Sequence, residues 1–298
     1  DTQQIQPANS GNGGGRAGFF WRYFTGSDGR PAWPKTVAVN RIAPPARVEG
    51  ERMVVTWVGH ASVLIQTQGL NILTDPVWAE NAGPLGTGPR RVAEPGIAFD
   101  ALPKIDLVLV SHNHYDHLDQ TTLQRLWRRD RPLIITSLGN DSVIDQVGVP
   151  ATALDWGREK AIRPGVSVAV TRNHHWGSRW FADRNRALWS SFVVRLPGGN
   201  VFFAGDTGMG DGRWPGEAAK LGPVRLALLP IGALLAIPVA GLSPPVVAGF
   251  LCSGLMALLF LVTEELLAEA HEKPDTPLIS AMFFVGFLSL LLIEEIAM

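Results

Sequence analysis

The sequence predicts a mixed α/β layered domain followed by a hydrophobic tail of membrane-helix type, and three observations carry that expectation. Short apolar or alternating runs recur between Met53 and Ala204, with glycine and proline turns separating them, as strands require. Helical stretches stand between several of these runs, which places strands and helices in packed layers. Beyond residue 233 the character changes: 246–263 is eighteen uncharged residues and 278–293 is sixteen. Such lengths fit membrane helices, the second being short unless its flanks extend it.

The elements follow in order along the 298 residues, enough for one large domain or two smaller ones. Residues 1–45 read as a disordered, then extended strap. Its first 17 residues are polar, with glycines from Gly11 to Gly15 interrupted only by Asn12. Phe19, Phe20, Trp21, Tyr23 and Phe24 form an aromatic cluster suited to covering an apolar edge of the main domain or to touching lipid. Pro31 to Val48 is proline-rich and extended.

Residues 53–58, 62–67 and 70–75 then read as successive short strands, with Gly59, His60 and Gly69 at the turns. A loop rich in proline and glycine, Gly83 to Pro95, leads to the apolar run Ile105 to Val110, a buried strand. Residues 121–129 are helical, with Leu123 and Leu126 on one face; 133–136 is a strand and 142–147 a short helix. Residues 166–171 alternate like a strand, while 188–196 and 200–204 pair across Pro197, Gly198 and Gly199.

Charge excludes one class of partner. The net charge is −1, but residues 226–298 hold one lysine against seven carboxylates, leaving a mildly basic remainder. That excess is spread along the chain without a basic run, so no nucleic-acid partner is expected. Cys252 is the only cysteine, so no intrachain disulfide forms. The chain opens at Asp1 without a basic-then-apolar leader, from which a signal peptide is expected to be absent or removed.

Chemistry concentrates at Ser111 to Asp119, which reads Ser-His-Asn-His-Tyr-Asp-His-Leu-Asp. His112, His114, Asp116 and His117 fall on the loop after a buried strand. Imidazole nitrogens and carboxylate oxygens suit zinc and similar divalent ions, and four donors this close serve one ion or divide between two. Packing alone gives no reason to crowd three histidines there. Two later strands end likewise, one at Asn173, His174, His175 and Trp176, the other at Gly205, Asp206, Thr207 and Gly208. An aspartate flanked by glycine approaches an ion closely, and a carboxylate bridges two ions, which an imidazole cannot.

These motifs, with Gly59-His60-Ala61-Ser62, Ile72 to Val77, His175 to Arg179, Asp183 to Asn185, Leu188-Trp189 and Leu228 to Ala233, resemble the metallo-β-lactamase superfamily. The nearest branch is that of the N-acyl-phosphatidylethanolamine-hydrolysing phospholipases D and their bacterial relatives. The resemblance covers about residues 33–233. It implies an αβ/βα sandwich over 46–233 with a dinuclear zinc site, and a hydrolase that turns a metal-bound hydroxide on a phosphodiester or lipid-like substrate. By the same resemblance His112, His114 and His175 hold one ion, Asp116 and His117 the other, and Asp206 bridges them. Asp116, Asp206 and His117 are then the catalytic set, and Asp75 orients a ligand imidazole. His60 is expected to be a buried, hydrogen-bonded histidine beside the site, and His174 structural. Trp156, Trp176 and Trp189 line an acyl-chain groove or pack in the core.

The resemblance breaks after Ala233. An acidic, aromatic loop and a final histidine that completes the second ion's shell are missing, so the sandwich is read as C-terminally truncated and that site as incomplete. Residues 234–298 read instead as two or three membrane helices and imply a membrane-associated protein. Val262 to Glu272, Thr276 to Leu278 and Ala281 to Phe287 resemble the last helices of ZIP-family divalent-metal permeases. Glu264, Glu265, Glu269 and His271 are then remnants of a metal path or the solvated end of a helix. Two rival readings follow: a membrane metal-transport fragment carrying a passenger domain, and an inactive fusion.

Overall fold

Leu64 and Ile65 are neighbours on one strand yet end in different cores, and that division runs through the central strands. The computed structural model describes residues 35–180, 182–208 and 210–230. These residues belong to one compact unit, bounded by Trp33 and Gly241. They form a six-stranded sheet in spatial order β1 (Met53–Gly59), β2 (Ser62–Thr67), β3 (Leu70–Thr74), β4 (Leu107–Val110), β5 (Leu133–Ser137) and β6 (Thr152–Leu154). A five-stranded sheet has the order β11 (Val224–Leu228), β10 (Asn200–Phe203), β9 (Ser191–Arg195), β8 (Val166–Thr171) and β7 (Glu159–Arg163).

Successive side chains on a strand point to opposite faces, so each sheet faces two ways. Ile65, Ile72, Leu107 and Leu109 meet Val168, Val170, Phe192, Val194, Val201 and Phe203 in the central core. The alternate residues Leu64, Leu73, Val108 and Val110 pack on α1 (Gln120–Asp130) and α2 (Asn140–Asp145) through Leu123, Leu126 and Ile144. On the far side Ala169, Val193 and Phe202 pack on α3 (Trp214–Ala219) through Trp214 and Ala218. The layering is therefore the expected αβ/βα sandwich. Each fully buried Ile, Leu or Phe contributes about 1.5–3 kcal/mol of transfer free energy. A one-residue slip of β8 would move Val168 and Val170 out of the central core, which pins its register.

Strand direction sets where the loops gather. β3 and β4 are parallel, so Asp75 and Ser111 leave the first sheet at one edge. Val63 pairs with Thr74, which puts the β1–β2 turn at that edge as well. β8 and β10 both run antiparallel to β9, so the loops after Thr171 and Phe203 also share an edge. Ser190 N donates to Ser111 O and closes the second sheet's edge onto the first.

Details depart from the sequence-based limits. The strand expected from Ile105 starts at Leu107, because Ile105 N is held by Asp130 Oδ2 and Asp106 is spent on Asn71 N and Arg47. The helix expected at 142–147 begins at Asn140, while β6, β7, α3 and β11 were not foreseen. Among the described residues no helix is long and apolar enough to cross a membrane. The expected membrane helices of 234–298, their permease-like motifs and the aromatic cluster at 19–24 lie outside the described residues.

Candidate metal centre

Asp75 is the hinge of the site. It leaves β3 with φ 32 and is fully buried. Its Oδ1 accepts from Ser111 N at 2.7 Å, and its Oδ2 accepts from Ser111 Oγ at 2.6 Å and faces His117 Nδ1 at 2.6 Å. Ser111 Oγ gives its hydrogen to Asp75, so at 2.9 Å it accepts from His112 Nδ1. One carboxylate thus fixes both imidazoles with Nδ1 turned inward and Nε2 turned to the cleft.

Two donor groups result. In the first, His112 Nε2 lies 2.8 Å from His114 Nδ1, which lies 3.3 Å from His175 Nε2. In the second, His117 Nε2 lies 3.3 Å from Asp206 Oδ2 and 3.7 Å from Asp116 Oδ2. Asp206 Oδ2 is also 4.0 Å from His175 Nε2, so it stands between the groups. The six residues expected as metal ligands are brought together from three strand ends. His174 is exposed and lies beside Gly208 and Gly210, outside these groups.

One expectation is corrected. His60 is not buried: its side chain is 51% exposed, and its Nε2 stands 3.1 Å from Asp116 Oδ2 and 3.1 Å from His117 Nε2. The β1–β2 turn, with φ 155 at Gly59 and 49 at His60, presents the ring outward over the second group.

The loops are held by residues whose roles sequence did not show. Asp119 caps α1, accepting from Thr122 N, and also takes Trp78 N and Ala79 N, so it is structural. Arg179 donates to Asn113 O at 3.0 Å and Leu118 O at 2.9 Å, clamping both ends of the histidine loop. Asp183 accepts from Ser178 Oγ, Arg179 N and Trp180 N, shaping the loop behind His175. Gly205 has φ 61, and a Cβ there would lie 2.7 Å from that of Ser111, so only glycine lets the Asp206 loop pass. Trp176 packs on His114 at 4.3 Å and the Arg184 guanidinium lies over the Trp176 ring at 4.7 Å, whereas Trp156 and Trp189 pack on each other at 6.0 Å.

Electrostatics separate the groups. Burial, reinforced by His117, pushes the pKa of His112 well below its usual value; burial likewise lowers His114 and takes His175 to about 4. All three imidazoles are therefore neutral near pH 7. Burial also acts against charge on His117, but hydrogen bonds to Asp206 and Asp75 prevail and lift it to about 10. Burial opposes charge on Asp206 and Asp116 too, yet the hydrogen bond from His117 and that from His60 respectively hold them below the carboxylate range. For Asp75 burial dominates and its pKa rises, pulled back by His117 and Ser111.

The donors fit a divalent cation. Three imidazole nitrogens, His112 Nε2, His114 Nδ1 and His175 Nε2, converge where one proton can satisfy only one pair. Neutral nitrogens beside charged carboxylates are the ligand chemistry of zinc-like ions.

The chain matches a β-lactamase superfamily domain over residues 70–243. It is 36% identical over 211 residues to an uncharacterised protein of Mycobacterium tuberculosis, covering 70% of this chain and 55% of the relative. It is 33% identical over 209 residues to N-acyl-phosphatidylethanolamine-hydrolyzing phospholipase D 1 of Caenorhabditis elegans, covering 66% of this chain and 59% of that protein. A metal-dependent hydrolase of Pyrobaculum neutrophilum is 30% identical over 187 residues, covering 61% of this chain and 73% of the relative. The chain spans little more than half the length of the first two relatives. With this domain match, and with histidines and aspartates converging at one edge of an αβ/βα sandwich, the chain belongs to the metallo-β-lactamase superfamily of metal-dependent hydrolases.

Proposed function

We propose that the protein hydrolyses a phosphodiester of lipid-like substrates with two divalent ions, zinc by donor chemistry. The observation that carries this reading is Asp206 Oδ2, placed 3.3 Å from His117 Nε2 and 4.0 Å from His175 Nε2, between two donor groups. His112, His114 and His175 would hold one ion and Asp116 and His117 the other, with Asp206 placed to serve either. When bound, such a pair supplies an acidified water and offsets the charge of attacking and leaving oxygens.

The chain's own residues do the rest. Asp75 keeps His112 and His117 in the tautomer that frees Nε2, directly for His117 and through Ser111 for His112. Asp116, 45% exposed, is the carboxylate nearest solvent and orients the entering water. Arg184 brings a positive charge to the rim beside Trp176, suited to an anionic substrate. The similarity to the phospholipase D of Caenorhabditis elegans supports a lipid phosphodiester, and the apolar tail of 234–298 supports action at a bilayer.

The test uses the full chain in detergent. It is expected to bind two zinc ions, hydrolyse bis(p-nitrophenyl) phosphate, and release phosphatidic acid from N-acyl-phosphatidylethanolamine in mixed micelles. His112→Ala and Asp206→Ala are each expected to lower turnover on the order of 10³-fold, the cost of losing a main electrostatic stabiliser. Full activity and metal content in both variants would sink the reading.

A further inference from the structure

As read from sequence, the second group comprises Asp116, His117 and Asp206. The fold adds a fourth donor. His60 Nε2 lies 3.1 Å from His117 Nε2 and 3.1 Å from Asp116 Oδ2, while His117 Nε2 lies 3.3 Å from Asp206 Oδ2. One ligand atom each from His60, His117 and Asp206 lie within 4.8 Å of one another. Ligand atoms bonded at about 2.0–2.2 Å around a tetrahedral ion stand about 3.3–3.6 Å apart. The observed separations straddle that value.

Hydrogen bonding accounts for only part of the arrangement. His117 Nδ1 is committed to Asp75, so its Nε2 is the atom offered to the cleft. The nitrogens of His60 and His117 and an oxygen of Asp206 gather there, and Asp116 Oδ2 lies 3.1 Å from the one imidazole and 3.7 Å from the other. One proton on each imidazole satisfies the pairs His117–Asp206 and His60–Asp116 but leaves the two Nε2 atoms 3.1 Å apart, N–H against N–H; a divalent cation satisfies both nitrogens and the carboxylates together.

The turn is built for this presentation. His60 takes φ 49, a conformation in which histidine is one of few enriched side chains. Its carbonyl accepts from Trp57 Nε1 at 2.9 Å, which fixes the turn from outside while the ring, 51% exposed, points over the second group. His60 belongs to the second group and not to that of His112, His114 and His175.

We propose that His60 is a ligand of the second ion, closing a set of His60, Asp116, His117 and Asp206. This rests on the two-ion reading above. Zinc content and stepwise zinc affinity of the full chain are measured against a chromophoric chelator, without reference to turnover, for the wild type, His60→Ala and His60→Asn. Asparagine tolerates the left-handed turn, so that variant preserves the backbone. The expected result is two ions per wild-type chain. In both variants the first ion is retained with unchanged affinity, which also shows the site is folded, and the second is weakened about 100-fold or more. That loss exceeds the roughly 10–100-fold expected of a residue that merely orients a ligand. A second-ion loss below about 100-fold, or loss of the first ion as well, overturns the role of His60 alone. One ion per wild-type chain overturns both this proposal and the two-ion reading.

Discussion

The two donor groups sit side by side at one edge of the sandwich yet differ in charge. His112, His114 and His175 are neutral nitrogens, with His112 buried and His175 taken down to about 4. The neighbouring group joins Asp116 and Asp206, both charged, to a His117 raised to about 10. Burial against the sandwich makes the first group by stripping charge; the carboxylates of buried Asp75 and of Asp206 make the second by inducing it. The same side-chain type is thereby prepared in opposite protonation states within a few ångströms. An ion entering the first group displaces no proton, whereas one entering the second must displace the proton on His117.

The largest expected effect comes from removing what the groups share. Asp75 serves His117 directly and His112 through Ser111, and it is fully buried. Asp75→Ala leaves Ser111 N and His117 Nδ1 without their partner, which costs about 3–5 kcal/mol for a buried pair broken on one side. Zinc per chain is expected to fall at both groups together, with an unfolding midpoint in urea well below that of the wild type. Loss confined to one group would show that the comparison rests on independent sites rather than on one hinge.

A smaller effect separates the groups by pH. Between pH 7 and 9 His117 is mainly protonated and His112, His114 and His175 are mainly neutral, by the shifts above. First-ion affinity is therefore expected to stay flat, and second-ion affinity to rise about tenfold per pH unit until pH nears 10. Calorimetry in buffers of different ionisation enthalpy reads the same difference as about one proton released by the second ion only. Equal proton release by both ions would erase the electrostatic distinction.

Much of this was legible because the chemistry is local. The spacing of His112, His114, Asp116 and His117, and the strand ends before His175 and Asp206, exposed both groups in sequence. What escaped depends on torsions and on weak patterns. His60 read as buried because Gly59 and His60 follow an apolar strand; only the φ values of 155 and 49 reveal that the turn aims the ring outward. β7 went unseen because Glu159, Lys160 and Arg163 charge an edge strand, and α3 because Pro215 and Gly216 sit inside it. Asp119 looked like part of the cluster, yet it is spent on Thr122, Trp78 and Ala79. Which carboxylate caps a helix and which faces an ion is decided by loop direction, and residue order alone does not carry that direction.

The smallest effect tests whether the two groups move as one body. Arg179 grips Asn113 O, between the first two histidines, and Leu118 O, just after His117, while its guanidinium lies 4.0 Å over the Tyr115 ring. Lysine has the charge but not the planar fork, so Arg179→Lys keeps one of these contacts at most. The histidine loop would lose its brace at one end while Asp75 still holds the other. Both ion affinities are then expected to fall about tenfold, the lower bound for an outer support of a metal ligand. Equal losses mean that the loop from His112 to His117 is rigid and that the electrostatic contrast is imposed on one frame. A loss at the second ion alone would mean that Asp75 and Ser111 hold His112 independently of the loop.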